Sequence, residues 1–402
     1  MSVYRSHAPG APDQPSSAPG EKPGVSGQAF GARRAGGLAG SAGGEDGRQS
    51  WLEAVQGLWR GLSGLLDDFA VVLGSENVYV ASKDLPTPVS YAAYVAISRA
   101  NGQVIALGDK ARALLGREPQ NIEVVHLLTR GIPDNPAMFG DYLLRIVKRH
   151  SHSIPLLRPR ILVSGNFETP LMKQVCTEGL VRIKTRDIMF CEPEIAAAVG
   201  MGLDILKPDL QSVMVFEKDW LGFMVMSMSG SLTRLRMNVG FQDLLEDILI
   251  YFEETSDFAP RTDDLAEQFL AQGFTGTPVL MGWEAWVDQV GRGKQVQVET
   301  TPQQFQKAVT PTLLRIKHCV NRSLQGLSRE QRYTVQSGPT YLAGEYADLP
   351  GFRELLETVF GRTFVMPERP HHAVARGLVN LIPNIEMLKA INGPASPVRV
   401  DF

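Results

Sequence analysis

The sequence has few cysteines, no long apolar run and almost no charge imbalance. Three cysteines occur in 402 residues. Cys176, Cys191 and Cys319 make no CxxC pair and no zinc-type spacing, which points to a reduced intracellular protein. No apolar stretch approaches the roughly 18 residues of a membrane-spanning helix. The N-terminus starts polar and lacks a hydrophobic signal core. A cytoplasmic protein is expected, with any membrane contact made from the inner face of the cell membrane. A formal net charge of −3 gives no global drive toward nucleic acid, and no nucleic-acid partner is expected. No nucleophile, histidine and acid can be assembled into a hydrolytic set. The run Arg145–Arg149 with His150 and His152, and the pair His371-His372, read as solvated surface, since neither has the spacing of a metal site.

What is present divides the chain. Residues 1–49 are rich in Gly, Ala, Pro and Ser and cannot bury enough apolar surface to offset their ordering entropy, so they read as a disordered tail, either spacer or docking segment. Ser50 and Glu53 have capping-box spacing. After them Trp51, Leu52, Val55, Leu58, Trp59, Leu62, Leu65, Leu66 and Phe69 mark an amphipathic helix over 50–69. Its polar face is slightly acidic. Trp51 and Trp59 therefore serve either to dock the helix on protein or to hold it on a membrane surface through buried apolar area alone.

Beyond residue 70 strand and helix signals alternate. Ala70–Leu73, Val78–Ala81, Ala92–Ser98, Val104–Ala106, Ile161–Ser164 and Ile188–Cys191 read as strands, with Asn101-Gly102 as a hairpin turn. Lys110–Leu115, Phe139–Val147, Leu171–Leu180 and Pro193–Gly202 read as helices. A second unit begins near Gln211. Its strands are Val213–Phe216, Phe223–Ser227, Leu232–Val239, pieces of 278–300, Tyr333–Gln336 and Thr363–Met366. Its helices are the Phe241–Phe252 stripe, the Phe305–Leu324 stripe, Phe352–Phe360 and Ala373–Leu381. Strands then helices, twice over, give a two-domain α/β protein, and 402 residues suit two domains of roughly 150 residues each plus a tail.

Several segments resemble one family in order. Pro159-Arg160-Ile161-Leu162-Val163 resembles PRVLV of the MreB-type bacterial actins. Cys191–Leu203 resembles their EEPMAAAIGAGLP, Leu114–Ile122 their MLGRTPGNI, and Pro367–Gly377 their AEDPLTCVARG. The matches span about residues 70–382. The resemblance implies an actin-like two-domain fold with a nucleotide-type cleft, preceded by the disordered tail and the amphipathic helix. On that basis 70–208 is domain I, 209–382 domain II and 383–402 a C-terminal tail. It also implies subunits that stack into filaments, so the expected partner is a further copy of the chain or a true bacterial actin.

In that family two aspartate-led loops hold ATP and Mg²⁺. Phosphates need backbone N–H groups that glycine lets approach, and magnesium needs carboxylate or water ligands. The first loop falls on Val72–Val78, where Gly74, Ser75 and Asn77 persist as remnants but the aspartate is Val72 and Glu76 adds negative charge. The second falls on Val215–Gly222, where the aspartate is Val215 and glycines are replaced by Glu217, Lys218 and Asp219. The adenosine-side glycines resemble Gln336-Ser337-Gly338-Pro339, with Gly338 alone remaining. Glu192 matches the glutamate that positions the attacking water, or it is simply a charge favoured at a helix N-terminus. Ile154, Leu156 and Leu157, flanked by Arg149, Arg158 and Arg160, fall where the family carries a membrane-dipping loop; a core-facing connection is the other reading. The expectation is a non-hydrolysing, actin-like scaffold with no cofactor. A rewired ATP-dependent filament and a non-polymerising binding module are the alternatives.

Overall fold

The computed structural model describes residues 68–384, except 130–131, 151–157, 168–169, 229, 256–261, 276–278 and 286–293, together with 398–399. The 1–49 tail, Trp51 and Trp59, the loop residues Ile154, Leu156 and Leu157, and most of 383–402 lie outside the described residues.

The chain begins with strands β1 (Phe69–Leu73), β2 (Asn77–Ala81), β3 (Val89–Ala92), β4 (Tyr94–Ser98) and β5 (Val104–Leu107), then the short helix α1 (Asp109–Arg112). β6 (Ile122–His126), β7 (Leu128–Thr129) and β8 (Ile132–Pro133) lead into α2 (Pro136–Lys148). β9 (Arg160–Gly165), α3 (Pro170–Val181), β10 (Asp187–Cys191) and α4 (Pro193–Gly200) follow. A second run holds β11 (Gln211–Phe216), β12 (Leu221–Ser227), β13 (Gly230–Met237), α5 (Phe241–Thr255), α6 (Thr262–Gln272), β14 (Val279–Ala285) and β15 (Lys294–Thr300). The chain continues through α7 (Pro302–Ser323), α8 (Arg329–Ser337), β16 (Thr340–Ala343), α9 (Phe352–Phe360), β17 (Phe364–Val365), α10 (Ala373–Leu381) and β18 (Val398–Arg399).

Two main sheets result, ordered β18-β10-β9-β1-β2-β3 and β13-β12-β11-β16-β17. Each repeats one local plan. β1 runs antiparallel to β2 and parallel to β9, while β11 runs antiparallel to β12 and parallel to β16. All five residues of β1 are buried, as a strand covered on both faces requires. The strand period of two sends them to different layers. Phe69, Val71 and Leu73 pack with Phe139, Leu143 and Val175 of α2 and α3. Ala70 and Val72 face the other way, into a cluster with α4, α10 and the second sheet. β11 divides likewise: Met214 and Phe216 join the Phe241, Phe252 and Phe305 core, and Val213 and Val215 join the cluster of Ala70 and Val72. A middle apolar layer is thus shared by both sheets.

Three expectations are corrected. Tyr333–Gln336 is helical within α8, because Ser328 and Gln331 form a capping box that starts a helix there; the alternation of Tyr333 and Val335 imitates a strand. Phe69 opens β1 instead of ending a helix. The C-terminal part returns to the first sheet: α10 packs on α4, β1 and β2, and β18 pairs antiparallel with β10. Only backbone contact at glycine allows the α4–α10 crossing. A Cβ on Gly377 would lie 1.7 Å from the Ala196 carbonyl oxygen, and one on Gly200 would lie 1.8 Å from that of Ala373.

Gly377→Ala is therefore expected to destabilise the fold by about 1–3 kcal/mol or more through overpacking. Gly326→Ala, with open space at its Cβ, should stay within about 0.5 kcal/mol of wild type. Urea denaturation of both variants checks the contrast.

Candidate functional site

The two equivalent hairpins bring their loops together. Residues 74–76 join β1 to β2, residues 217–220 join β11 to β12, and residues 344–346 follow β16. Ser75 Oγ donates to an Asp219 carboxylate oxygen, and the Lys218 ammonium donates to Glu76. Glu345 accepts from Asn77 Nδ2 and, at 3.2 Å, from the Tyr79 hydroxyl. The Glu345 backbone N–H donates to Glu217 Oε1 at 3.3 Å. Tyr94 OH donates to Glu76 Oε2 at 3.3 Å. His126 Nε2 lies 3.1 Å from the Ser75 carbonyl oxygen, a contact that requires the proton on Nε2.

Backbone geometry fixes these loops. Gly74 N–H donates to Asn77 O at 2.9 Å, and a Cβ on Gly74 would meet that oxygen at 2.8 Å. Gly344 has φ +117° and lies so close to Phe216 that a Cβ would come within 2.2 Å of its carbonyl oxygen. The first N–H groups of α5 would suit an anion. They are already used: Phe241 N–H donates to Glu217 O at 3.0 Å, Gln242 N–H to Lys218 O at 2.7 Å, and Gly240 N–H to Asp243 Oδ2 at 2.9 Å.

Val72 and Val215 sit in the middle apolar layer with Tyr79, Trp220 and Ala343. Trp220 is 2% exposed, and the Arg236 guanidinium stacks over its ring at 4.3 Å. A carboxylate at either valine would enter an apolar cluster, not a metal shell. Among the described residues no group of three or more His, Cys, Asp or Glu side chains could hold a metal ion.

Four carboxylates, Glu76, Glu217, Asp219 and Glu345, surround the loops. Burial opposes the charge of Glu76, but the Lys218 ammonium beside it outweighs that opposition and its pKa is lowered. Burial raises Asp219, against the hydrogen bond from Ser75. Burial and the neighbouring Glu345 push Glu217 well above the usual carboxylate range. Burial pushes Glu345 up to about 7, against the hydrogen bonds from Asn77 and Tyr79. Glu217 and Glu345 each leave their Oε2 buried without a partner, so ionising both would strand adjacent charges in a dry site.

The sequence-predicted residues divide accordingly. Gly74, Ser75 and Asn77 come together in the first loop, where Ser75 and Asn77 bond to acidic side chains of the second half. Gly338 does not join them. It caps the C-terminus of α8 at the start of β16, and the residues that reach the loops follow the other end of that strand. Glu345 was missed for this reason; the signal available was Gly344-Glu345 directly after the apolar run Thr340–Ala343. Glu192 stands at the N-cap of α4 without a side-chain capping bond. Arg234 holds both its oxygens at 2.9 Å, and Arg236 approaches at 3.5 Å. Arg236 also pairs with the fully buried Glu194 at 3.1 Å. Glu192 thus ties α4 to β13. Of the basic flank around residues 154–157, Arg160 pairs with Asp187 at 3.6 Å and Arg149 lies over the Tyr91 ring.

Glu217 and Glu345 bind their protons more tightly in the folded chain than in the unfolded one. Their contribution is full at low pH and is lost as pH rises from the ordinary carboxylate range through about 7. The melting temperature should therefore fall between pH 5 and pH 8. Glu217→Gln/Glu345→Gln should flatten that fall, retaining on the order of a few kcal/mol at the alkaline end. A slope unchanged by the double substitution would show that the pair does not carry it.

The profile of the MreB/Mbl protein family matches residues 66–390. The chain is 23% identical over 324 residues to the cell shape-determining protein Mbl of Bacillus cereus, covering 80% of this chain and 97% of that one. It is 23% identical over 329 residues to the cell shape-determining protein MreB of Escherichia coli, covering 80% and 94%. Among solved structures, MreB5 of Spiroplasma citri bound to ADP superposes with a TM-score of 0.70 at 15% identity, over 82% of this chain and 99% of that one. The MamK double helical filament gives 0.62 at 12% identity, over 79% and 99%. With two sheets built on one plan and a profile match across most of its length, the chain has an actin-like fold and belongs to the MreB/Mbl family.

Proposed function

We propose that this chain is a cytoplasmic, actin-like scaffold subunit that neither binds nor hydrolyses ATP and that serves cell shape alone or alongside a true bacterial actin. The observation that carries the reading is the direct pairing of Lys218 with Glu76 and of Ser75 with Asp219. Spiroplasma MreB5 is solved with ADP and with AMPPNP; here the loops that match the family's phosphate loops bond to each other. Glu76, which stays ionised beside Lys218, repels a polyanion, and the one ammonium at those loops is already paired with it. Val72 and Val215 supply no magnesium ligand. Without a metal, a single carboxylate such as Glu192 could not stabilise the charge developing on a transferred phosphoryl group, and Glu192 is held by two arginines.

The full chain is expected to show no Mg²⁺-dependent ATP binding by equilibrium dialysis and no hydrolysis above background. It is expected to pellet as filaments without nucleotide. Turnover abolished by Glu192→Ala would establish the rewired ATPase instead. A chain that stays monomeric by sedimentation and electron microscopy, alone and with an MreB-type actin, would establish a non-polymerising module.

The proposal includes attachment at the inner membrane face through Ile154, Leu156 and Leu157 together with Trp51 and Trp59. A few aliphatic side chains supply on the order of 1.5–3 kcal/mol each when fully buried, which becomes stable attachment only when many copies act together. Vesicle cosedimentation of the full chain should be weakened by Leu156→Glu/Leu157→Glu. Equal pelleting of the two would rule out that loop as a lipid contact.

A further inference from the structure

A pocket of about 370 Å³ lies away from the loops, between the β2–β3 connection, the end of α4 and the stretch that enters α10. Its size falls in the range of small-molecule sites. Its polar wall is Ser82, Glu368, Arg369, His372 and Arg376, and its apolar wall includes Leu85, Pro86 and Val379. The Arg376 guanidinium gives one N–H to the Arg369 carbonyl oxygen at 3.3 Å, while its Nε is buried with no hydrogen-bond partner. That bond holds the guanidinium at the pocket wall, and its Nη1, which is not buried and makes no hydrogen bond, is the donor a ligand can reach. Among the described residues no ion pair engages Arg369 or Arg376.

We propose that this pocket binds a carboxylate carried on a short aliphatic stem, with Arg376 and Arg369 receiving the carboxylate and Leu85, Pro86 and Val379 receiving the stem. The planar fork of arginine suits a carboxylate, which can take two parallel N–H bonds. The charge balance selects a monoanion. Burial, together with His371, Arg369 and Arg376 nearby, holds His372 down at about 4, so it is neutral at pH 7. Two arginines against Glu368 then leave one net positive charge, too little for a dianionic phosphate. The pocket also shares a wall with the loop contacts: the His372 ring meets Tyr79 edge-on at 6.2 Å, and Tyr79 donates to Glu345. His372 is therefore both a lining residue and a reporter.

The test titrates the full chain with hexanoate, hexanamide and inorganic phosphate, following the His372 ring by NMR. Hexanoate should give a saturable shift of the His372 resonances, with hexanamide and phosphate at least tenfold weaker. Arg376→Gln should weaken hexanoate at least tenfold. Arg369→Gln, at an exposed position that leaves the core untouched, should do the same and covers the case in which the Arg376 variant fails to fold. Hexanamide binding as tightly as hexanoate would reduce the pocket to an apolar crevice and overturn the proposal. So would phosphate binding equally well, or hexanoate affinity unchanged in Arg369→Gln.

Discussion

The contact between Lys218 and Glu76 is the one ion pair among the described residues that joins the two hairpin loops, and the electrostatics at the centre of the molecule depend on it. Loops carrying Glu76 on one side and Glu217 and Asp219 on the other would repel if all were ionised and unpaired. Lys218 keeps Glu76 charged. Ser75 satisfies Asp219 with a neutral donor. The remaining acids, Glu217 and Glu345, are accommodated by retaining protons. Three different solutions to buried negative charge thus occupy one small region, and together they use most of the polar groups that could face a phosphate.

Beneath the loops the joint is apolar. Val72 and Val215, at equivalent places in the two sheets, bury their side chains in one cluster with Trp220 and the small residues Ala196, Ala197, Ala373 and Ala375 of α4 and α10. The small side chains let α4 and α10 approach until backbone meets backbone at Gly200 and Gly377. Arg236 completes the arrangement by lying over Trp220 while pairing with Glu194 and approaching Glu192. Val72, Val215 and the Glu192 salt bridge therefore belong to one packed unit.

The repeated strand-and-helix order, the apolar strands around Val72 and Val215, and the long helices with clear 3.6-residue stripes such as Phe305–Leu324 were legible in the sequence. These are local facts: burial on two faces writes continuous apolar runs, and amphipathic packing writes a period. The places of Glu345 and Gly338 were set by how the sheets pack, because strand β16 has two ends and the sequence does not say which one meets the loops. The strand expected at Tyr333–Gln336 failed for a local reason instead: Ser328 and Gln331 have the capping-box spacing that starts a helix, and the short alternation of Tyr333 and Val335 masked it. The partners of Glu192, Glu76 and Asp219 were equally hidden. They lie 42, 142 and 144 residues away in the chain, and a contact across such a separation is set by how two sheets pack, which no local pattern records.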